Sequence, residues 1–325
     1  MPRALITGGA GYIGSHVNIA MAEGGWETVV FDNLSTGFQD LVVTGEFVRG
    51  DILSKDDLES ILEKGKFDIV VHLAGKSIVL ESIKNPSEYW RTNVVGARTL
   101  LDAMRKFGPR KIVFSSSASV YGNPVRLPID ETHPLSPMNP YGKTKLAIEW
   151  MLEDEGITKG LEYAILRYFN AAGADPHGRV GLKIPRASTL IPVMFDVALG
   201  KRKELEIYGN DYETVDGTCV RDYIHPTDLA MGHFLVANRL LDNNGSIILN
   251  LGCGVGYTVL ETLRSVEKEI GMKLPIRFVS RRSGDPTASI ADHRKALDLL
   301  GWKTEYSDID AIVHTGWVWH KKVFG

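Results

Sequence analysis

An α/β fold, a doubly wound parallel sheet with a smaller mixed α/β lobe, is the architecture this sequence predicts. Three observations carry that expectation. Short apolar runs alternate with amphipathic segments through the first half of the chain. A glycine-rich turn, Gly8-x-x-Gly11-x-x-Gly14, joins the first run to the first helical pattern. An acid, Asp32, closes the second run. Strand–helix alternation favours parallel pairing with right-handed crossovers. The chain has 325 residues, more than one average domain, and the rhythm changes near residue 170. A large domain over 1–170 and a substrate lobe over 171–325 are therefore expected.

The elements follow in order. Ala4–Ile6, Thr28–Phe31, Glu46–Val48, Ile69–Leu73, Ile112–Phe114 and Tyr163–Leu166 are apolar runs of strand length. Between them, Ser54–Glu63 opens as Ser54-x-x-Asp57, a capping-box-like start. A second helix is expected from Pro86 to Phe107. A third runs from Tyr141 to Glu155 behind Asn139-Pro140, a pair suited to a helix start. Beyond Asn170, Gly173–Pro192 is rich in Gly, Pro and basic residues and reads as a long loop able to order over a ligand. Helices are expected near Pro192–Gly200, Asp228–Leu241 and Val259–Gly271. Short strands are expected near Leu205–Tyr208 and Ile247–Leu251, the latter placed to rejoin the large sheet.

Composition narrows the function. At 44% hydrophobic residues the chain can bury a substantial core, which argues against disorder. The 37 Lys and Arg against 40 Asp and Glu leave a net charge of −3 with no basic block. Neither nucleic acid nor a membrane surface is then an expected partner. Two cysteines are too few for a disulfide framework or a zinc site. No apolar stretch approaches about 18 residues, and Met1-Pro2-Arg3 runs directly into a strand. A cytoplasmic protein is the expectation.

The motifs describe chemistry. Gly8, Gly11 and Gly14 allow a tight turn and let the backbone approach a pyrophosphate at a helix N-terminus, the dinucleotide-binding (Rossmann) fingerprint. Asp32 lies about 20 residues beyond, where a carboxylate bonds ribose hydroxyls and repels a 2′-phosphate; NAD is favoured over NADP. An ordinary glycine-rich turn shares the glycines but not the strand, helix and acid in register. Asp51-Ile52 and Leu73-Ala74-Gly75 end the third and fourth strands and so line the crevice. Asp51 suits either the adenine amino group or a helix-entry turn. Tyr141 and Lys145, four apart on a helix, share one face. To act as a base, Tyr141 must fall from a pKa of about 10 toward neutrality. Lys145 and a nicotinamide cation are charges able to bring that about. Serine after a strand commonly satisfies local backbone, and Ser117 is singled out from Ser115–Ser119 by the Tyr141/Lys145 pair.

Together these segments resemble the extended short-chain dehydrogenase/reductase superfamily and, within it, the UDP-glucose 4-epimerases. The resemblance covers nearly the whole chain. It rests on Thr7–His16, Asp32–Gly37, Ser115–Gly122, Tyr141–Leu146, Arg167–Asn170, Tyr208–Tyr212, Asp216–His225 and Arg281–Asp285. It implies that Tyr12, Ile13, Asp32, Asn33, Leu34, Ser35, Thr36, Gly37, Asp51, Ile52, Leu73, Ala74, Gly75, Asn93 and Phe169 contact NAD. Ser117, Tyr141 and Lys145 would be catalytic. Asn170, Leu190, Tyr208, Arg221, Arg282 and Asp285 would hold a UDP-sugar, since guanidinium groups suit a diphosphate. Arg221 beside Asp222 also reads as a plain surface ion pair. The implied activity is 4-epimerisation of UDP-hexoses through a 4-keto sugar, and the implied assembly is a homodimer.

Three departures bear on substrate. These epimerases usually carry lysine where this chain has Ser77, with Lys76 one position earlier; Thr189 replaces a familiar Asn; and Gly181–Arg186 lacks the usual acids. Four positions after Asp285, where a bulky tyrosine restricts the family to unsubstituted sugars, stands Ser289. Acceptance of UDP-GlcNAc and UDP-GalNAc is implied, unless the Ser289 side chain turns away. Two rival activities remain in view. A 4,6-dehydratase or decarboxylase of the same fold lacks support because Ser117-Ala118-Ser119 stands where dehydratases resemble Thr-Asp-Glu. A non-catalytic NAD sensor is disfavoured by the intact Tyr141 and Lys145.

Overall fold

The computed structural model describes residues 1–184, 187–282 and 284–325. The first six strands are β1 (Arg3–Thr7), β2 (Glu27–Asp32), β3 (Glu46–Arg49), β4 (Ile69–His72), β5 (Lys111–Ser117) and β6 (Glu162–Tyr168). The remainder are β7 (Asn170–Ala171), β8 (Leu205–Tyr208), β9 (Val220–Ile224), β10 (Ile247–Leu251), β11 (Gly256–Thr258), β12 (Ile276–Val279) and β13 (Ala288–Ser289). Seven of them form one parallel sheet in the order β10-β6-β5-β4-β1-β2-β3. Ile247–Leu251 does rejoin the large sheet, pairing with β6 from Ala164 to Tyr168.

Side-chain alternation along each strand builds two cores from one sheet. Ala4 and Ile6 of β1 pack with helix Tyr12–Glu23 and helix Pro226–Leu241 through Val17, Met21, Leu229 and Val236. Leu5 faces the opposite way. It joins Leu58 and Leu62 of helix Lys55–Gly65, Leu100 and Met104 of helix Gly96–Phe107, and Ile148 and Leu152 of helix Pro140–Lys159. Both faces are covered, which a parallel sheet of near-continuous apolar strands requires.

A third core, centred on Phe195, Ile207, Tyr223, Leu263 and Trp317, underlies the smaller lobe. There β9 pairs with β7, β11 and β13, and β8 pairs with β12. The strands β9, β11, β12 and β13 and the last helix, Ile309–Phe324, had no sequence-level signal strong enough to predict them. These strands are two to five residues long, and Ile276–Phe278 are exposed, so alternation has little length over which to register.

Other differences are local. The strand expected at Ile112–Phe114 continues to Ser117, so three serines lie within β5. The helix expected near Pro192–Gly200 starts earlier and spans Leu190–Ala198. The helix expected over Pro86–Phe107 is interrupted by a π-helical stretch, Trp90–Val95, before it resumes at Gly96. A π-turn rotates side chains out of α register, and here it turns Asn93 into the interior. Of Gly181–Arg186, Pro185 and Arg186 lie outside the described residues, as does Ser283 of the Arg281–Asp285 segment. Among the described residues no helix is long and apolar enough to cross a membrane.

Candidate active site

The parallel strands all end on one edge, and the glycine turn sits there. Gly8 adopts φ +75 and packs so closely that a β-carbon on it would lie 2.5 Å from the Ala74 nitrogen. A β-carbon at Gly14 would lie 2.2 Å from the Gly8 carbonyl oxygen. Helix Tyr12–Glu23 begins at Gly11, which has no side chain to cap it. Its first amides therefore face the crevice with their positive dipole, the arrangement that binds a pyrophosphate.

Asp32 organises this turn as well as facing it. Its carboxylate accepts from the Ala10 amide (3.1 Å) and the Leu34 amide (2.8 Å). Burial raises its pKa, and those two amides hold it back. Asn33 donates to Asp51 (3.1 Å) and accepts from the Ser35 amide, shaping the loop that carries Thr36 and Gly37. Gly37 packs on the Ala10 backbone, where a β-carbon would approach to 2.9 Å. Asp51 also accepts from the Leu53 amide (2.8 Å), so the helix-entry turn is one of its functions. Ile52 is buried against Gly96.

Several residues expected at the cofactor face hold other elements in place. Asn93 is buried; its amide bridges the Lys76 backbone (2.8 and 3.1 Å) and Thr144 (3.0 Å). It thereby ties Gly75 and the loop after β4 to helix Pro140–Lys159. The Tyr12 hydroxyl donates to the Gly173 carbonyl (2.7 Å), joining the first helix to the long loop after β7. Ile13 packs into the core under helix Pro226–Leu241, and Leu73 donates its amide to Thr7 (2.9 Å). Phe169 is buried beside Ala118, Val120 and Tyr121.

Tyr141 stands in the first turn of helix Pro140–Lys159. Asn139 caps that helix by accepting from the Gly142 amide (2.8 Å), and Pro140 opens it. Gly142 is needed for close approach: a β-carbon there would come within 2.5 Å of the Ser119 carbonyl. The Tyr141 turn is thus pressed onto the Ser117–Val120 turn. Ser117 accepts from the Ser119 amide (3.2 Å), so it has the local backbone role as well. Burial raises the Tyr141 phenol, and a hydrogen bond from Ser117 opposes this. Lys145 donates to the Ser115 carbonyl (2.8 Å), and its Nζ lies 5.9 Å from the Tyr141 ring centre. Burial lowers Lys145 to about 8, with Glu149 opposing. In the chain by itself, desolvation outweighs the lowering expected at Tyr141.

Beneath this helix lies a buried network that the sequence reading did not assign. Glu149 and Arg167 form an ion pair at 2.6 Å with both side chains almost fully buried. Ser116 donates to the same carboxylate. Arg167 continues to the Tyr121 hydroxyl (3.1 Å), which donates to Asn250 on β10 (2.6 Å). The available signals were an acid four residues after Lys145 and an arginine directly after an apolar strand.

Of the residues expected to hold the sugar nucleotide, Tyr208 lies on β8, Arg221 on β9 and Ser289 on β13. The Arg282 guanidinium lies 4.3 Å above the Tyr208 ring centre. Arg221 faces Asp285 (3.6 Å) and donates to the Pro286 carbonyl (2.9 Å). Its neighbour Asp222 points to the opposite side of β9 and accepts from the Cys253, Gly254 and Ala291 amides. Arg221 and Asp222 are therefore not the surface pair that adjacency suggests. Ser289 pairs with Arg221 through β13, Asn170 pairs with Tyr223 through β7, and Leu190 opens the helix that Thr189 precedes. Lys76, beside the unusual Ser77, pairs with Glu81 (3.4 Å).

Comparison with known proteins agrees with this geometry. A model of the NAD dependent epimerase/dehydratase family matches residues 4–252. A UDP-glucose 4-epimerase of Halalkalibacterium halodurans is 45% identical over 98% of this chain and 95% of its own length. The crystal structure of UDP-glucose 4-epimerase from Brucella ovis in complex with NAD superposes with a TM-score of 0.95, at 45% identity and 98% coverage of both chains. The structure from Stenotrophomonas maltophila, with bound NAD and formylated UDP-arabinopyranose, also gives 0.95, at 39% identity and 99% and 98% coverage.

Proposed function

Because this chain belongs to the NAD dependent epimerase/dehydratase family, we propose that it catalyses NAD-dependent 4-epimerisation of UDP-hexoses, interconverting UDP-glucose and UDP-galactose. One observation carries the reading: Tyr141 meets Ser117 and has the Lys145 ammonium 5.9 Å from its ring centre, at the carboxyl end of β5, on the sheet edge where the glycine turn also lies. Incubation with either sugar nucleotide, followed by chromatographic resolution, tests it directly. Return of only the starting sugar would refute it.

The residues present fit NAD. Gly8, Gly11 and Gly14 would give NAD a backbone cradle, Asp32 would meet its ribose, and the loops at Asp51, Leu73–Gly75 and Asn33–Gly37 would line its site. When bound, NAD would supply a reversible hydride acceptor for C4 chemistry with no net oxidation of the sugar. Ser117 orients the C4 oxygen, and Tyr141 as phenolate accepts its proton. Lys145 places an ammonium behind the phenol and favours its ionised form. Arg221 and Arg282 hold the diphosphate, with Tyr208 near the base. Residues 1–170 with helix Pro226–Leu241 and the returning β10 make up the proposed cofactor domain, and most of the remaining residues of 171–325 make up the substrate lobe.

A cofactor reduced and reoxidised within one turnover need not leave. NAD is expected to remain bound through purification and to appear when the protein is denatured. Asp32→Asn keeps the side-chain shape but removes the charge, so it should purify with little nucleotide. Recovery of NADP from the wild type would overturn the assignment.

Ser289 supports a wide sugar pocket. Its pairing with Arg221 on β9 supports reading this small side chain as the gate beside the sugar's C2 substituent. UDP-GlcNAc and UDP-GalNAc are expected to interconvert within about tenfold of the unsubstituted pair, a gap of about 1.4 kcal/mol. Ser289→Tyr should abolish only the N-acetyl activity. A wild type that turns over UDP-galactose but ignores UDP-GlcNAc rules out this pocket.

The assembly this reading implies is a homodimer, paired through the helical segments near Pro86–Phe107 and Tyr141–Glu155. Trp90, Val95 and Trp150 are exposed on them, an apolar set suited to burial against a second copy. Light scattering should give twice the chain mass; a monomer at working concentration contradicts the assembly.

A further inference from the structure

Lys145 is buried, and a buried ammonium is costly unless an anion or several acceptors attend it. Among the described residues its Nζ donates to one acceptor, the Ser115 carbonyl. Around it lie the Phe114 ring, 4.9 Å from Nζ, and His72, whose Nδ1 is engaged by Thr7 and which burial keeps neutral. Tyr168 and His233 bond to each other (3.1 Å), and burial keeps both uncharged. On its own helix it has Tyr141 one turn before and Glu149 one turn after. Arg167 is nearby on β6, but its Nε and one Nη grip Glu149 and the other Nη donates to Tyr121. Glu149 is therefore the anion in this surrounding set.

We propose that Glu149 is a positioning residue for the reaction: clamped by Arg167 and Ser116, it fixes the helical turn that carries Lys145 and keeps its ammonium charged beside Tyr141. The geometry is specific. Ser115 holds Lys145 through its carbonyl, and the next residue, Ser116, holds Glu149 through its hydroxyl. Lysine and glutamate one turn apart are thus anchored to consecutive residues of β5. Arg167 on β6 grips the same carboxylate, and Arg167 is itself held by the Tyr121 hydroxyl, which donates to Asn250 on β10. The inference rests on the reading of Tyr141 and Lys145 as the catalytic pair.

Glu149→Gln alone leaves Arg167 buried without a partner, so loss of folding would be ambiguous. The double variant Glu149→Gln/Arg167→Met removes both charges and keeps a neutral, filled site. In this variant, loaded with NAD, 15N NMR of the Lys145 ammonium should show it losing its proton at lower pH than in the wild type. Its kcat for UDP-galactose should fall by about tenfold above pH 8, the effect of about one unit in Lys145 acidity. Activity should recover toward pH 6, with KM unchanged throughout. Glu149→Asp keeps the anion and should retain most of the wild-type alkaline limb. A double variant with wild-type Lys145 titration and pH profile overturns the inference, whatever its thermal stability. So does a Glu149→Asp profile matching that of the double variant. If Tyr141→Phe retains turnover, the underlying catalytic reading fails instead, and the two failures are distinguishable.

Discussion

Tyr141→Phe is expected to lower turnover about 10²–10⁴-fold, the usual contribution of a positioned acid–base group, while the protein keeps its fold and its NAD. The substitution deletes one oxygen. The ring continues to fill the space beside Ser117, and the helix start depends on Asn139, Pro140 and Gly142 rather than on the phenol. Burial raises the phenol in the protein alone, so removing a buried hydroxyl should leave thermal stability unchanged or slightly higher. Measured kcat, extracted NAD and a melting curve separate these effects. A loss under tenfold with unchanged melting would show that another group takes the proton.

Arg167→Met is expected to destabilise the protein by about 3–5 kcal/mol, the cost of leaving a buried charge without its partner. The ion pair with Glu149 is 2.6 Å long, and the two side chains are 3% and 1% exposed. Methionine matches the volume but leaves Glu149 held by Ser116 alone. Tyr121 keeps its bond to Asn250, so the damage should centre on the carboxylate. Denaturant unfolding in the NAD-free protein measures the change. A loss under about 1 kcal/mol would mean that water or a rearranged side chain satisfies Glu149.

The sequence by itself determined the parallel sheet, the glycine turn and the helix that carries Tyr141 and Lys145. Each is encoded over a short span: Gly8 to Gly14 by backbone space, β1 and β2 by apolar runs, Asn139-Pro140 by capping chemistry. The 3.6-residue repeat alone puts Tyr141 and Lys145 on one face. Contacts between distant segments were decided only by the tertiary structure. That Asn93 turns inward depends on a π-helical stretch meeting the loop after β4. Arg221 faces Asp285 rather than its neighbour Asp222 because adjacent residues on β9 point to opposite sides, and β9 is too short and too polar to read in advance. The Glu149–Arg167 pair joins a helix to a strand 18 residues away, and Asn250 closes the network from β10, which rejoins the sheet after the chain has passed through part of the second lobe. Local propensity carries no information about such partners, because a buried charge selects its counterpart by proximity in the folded chain, where desolvation makes the pairing obligatory.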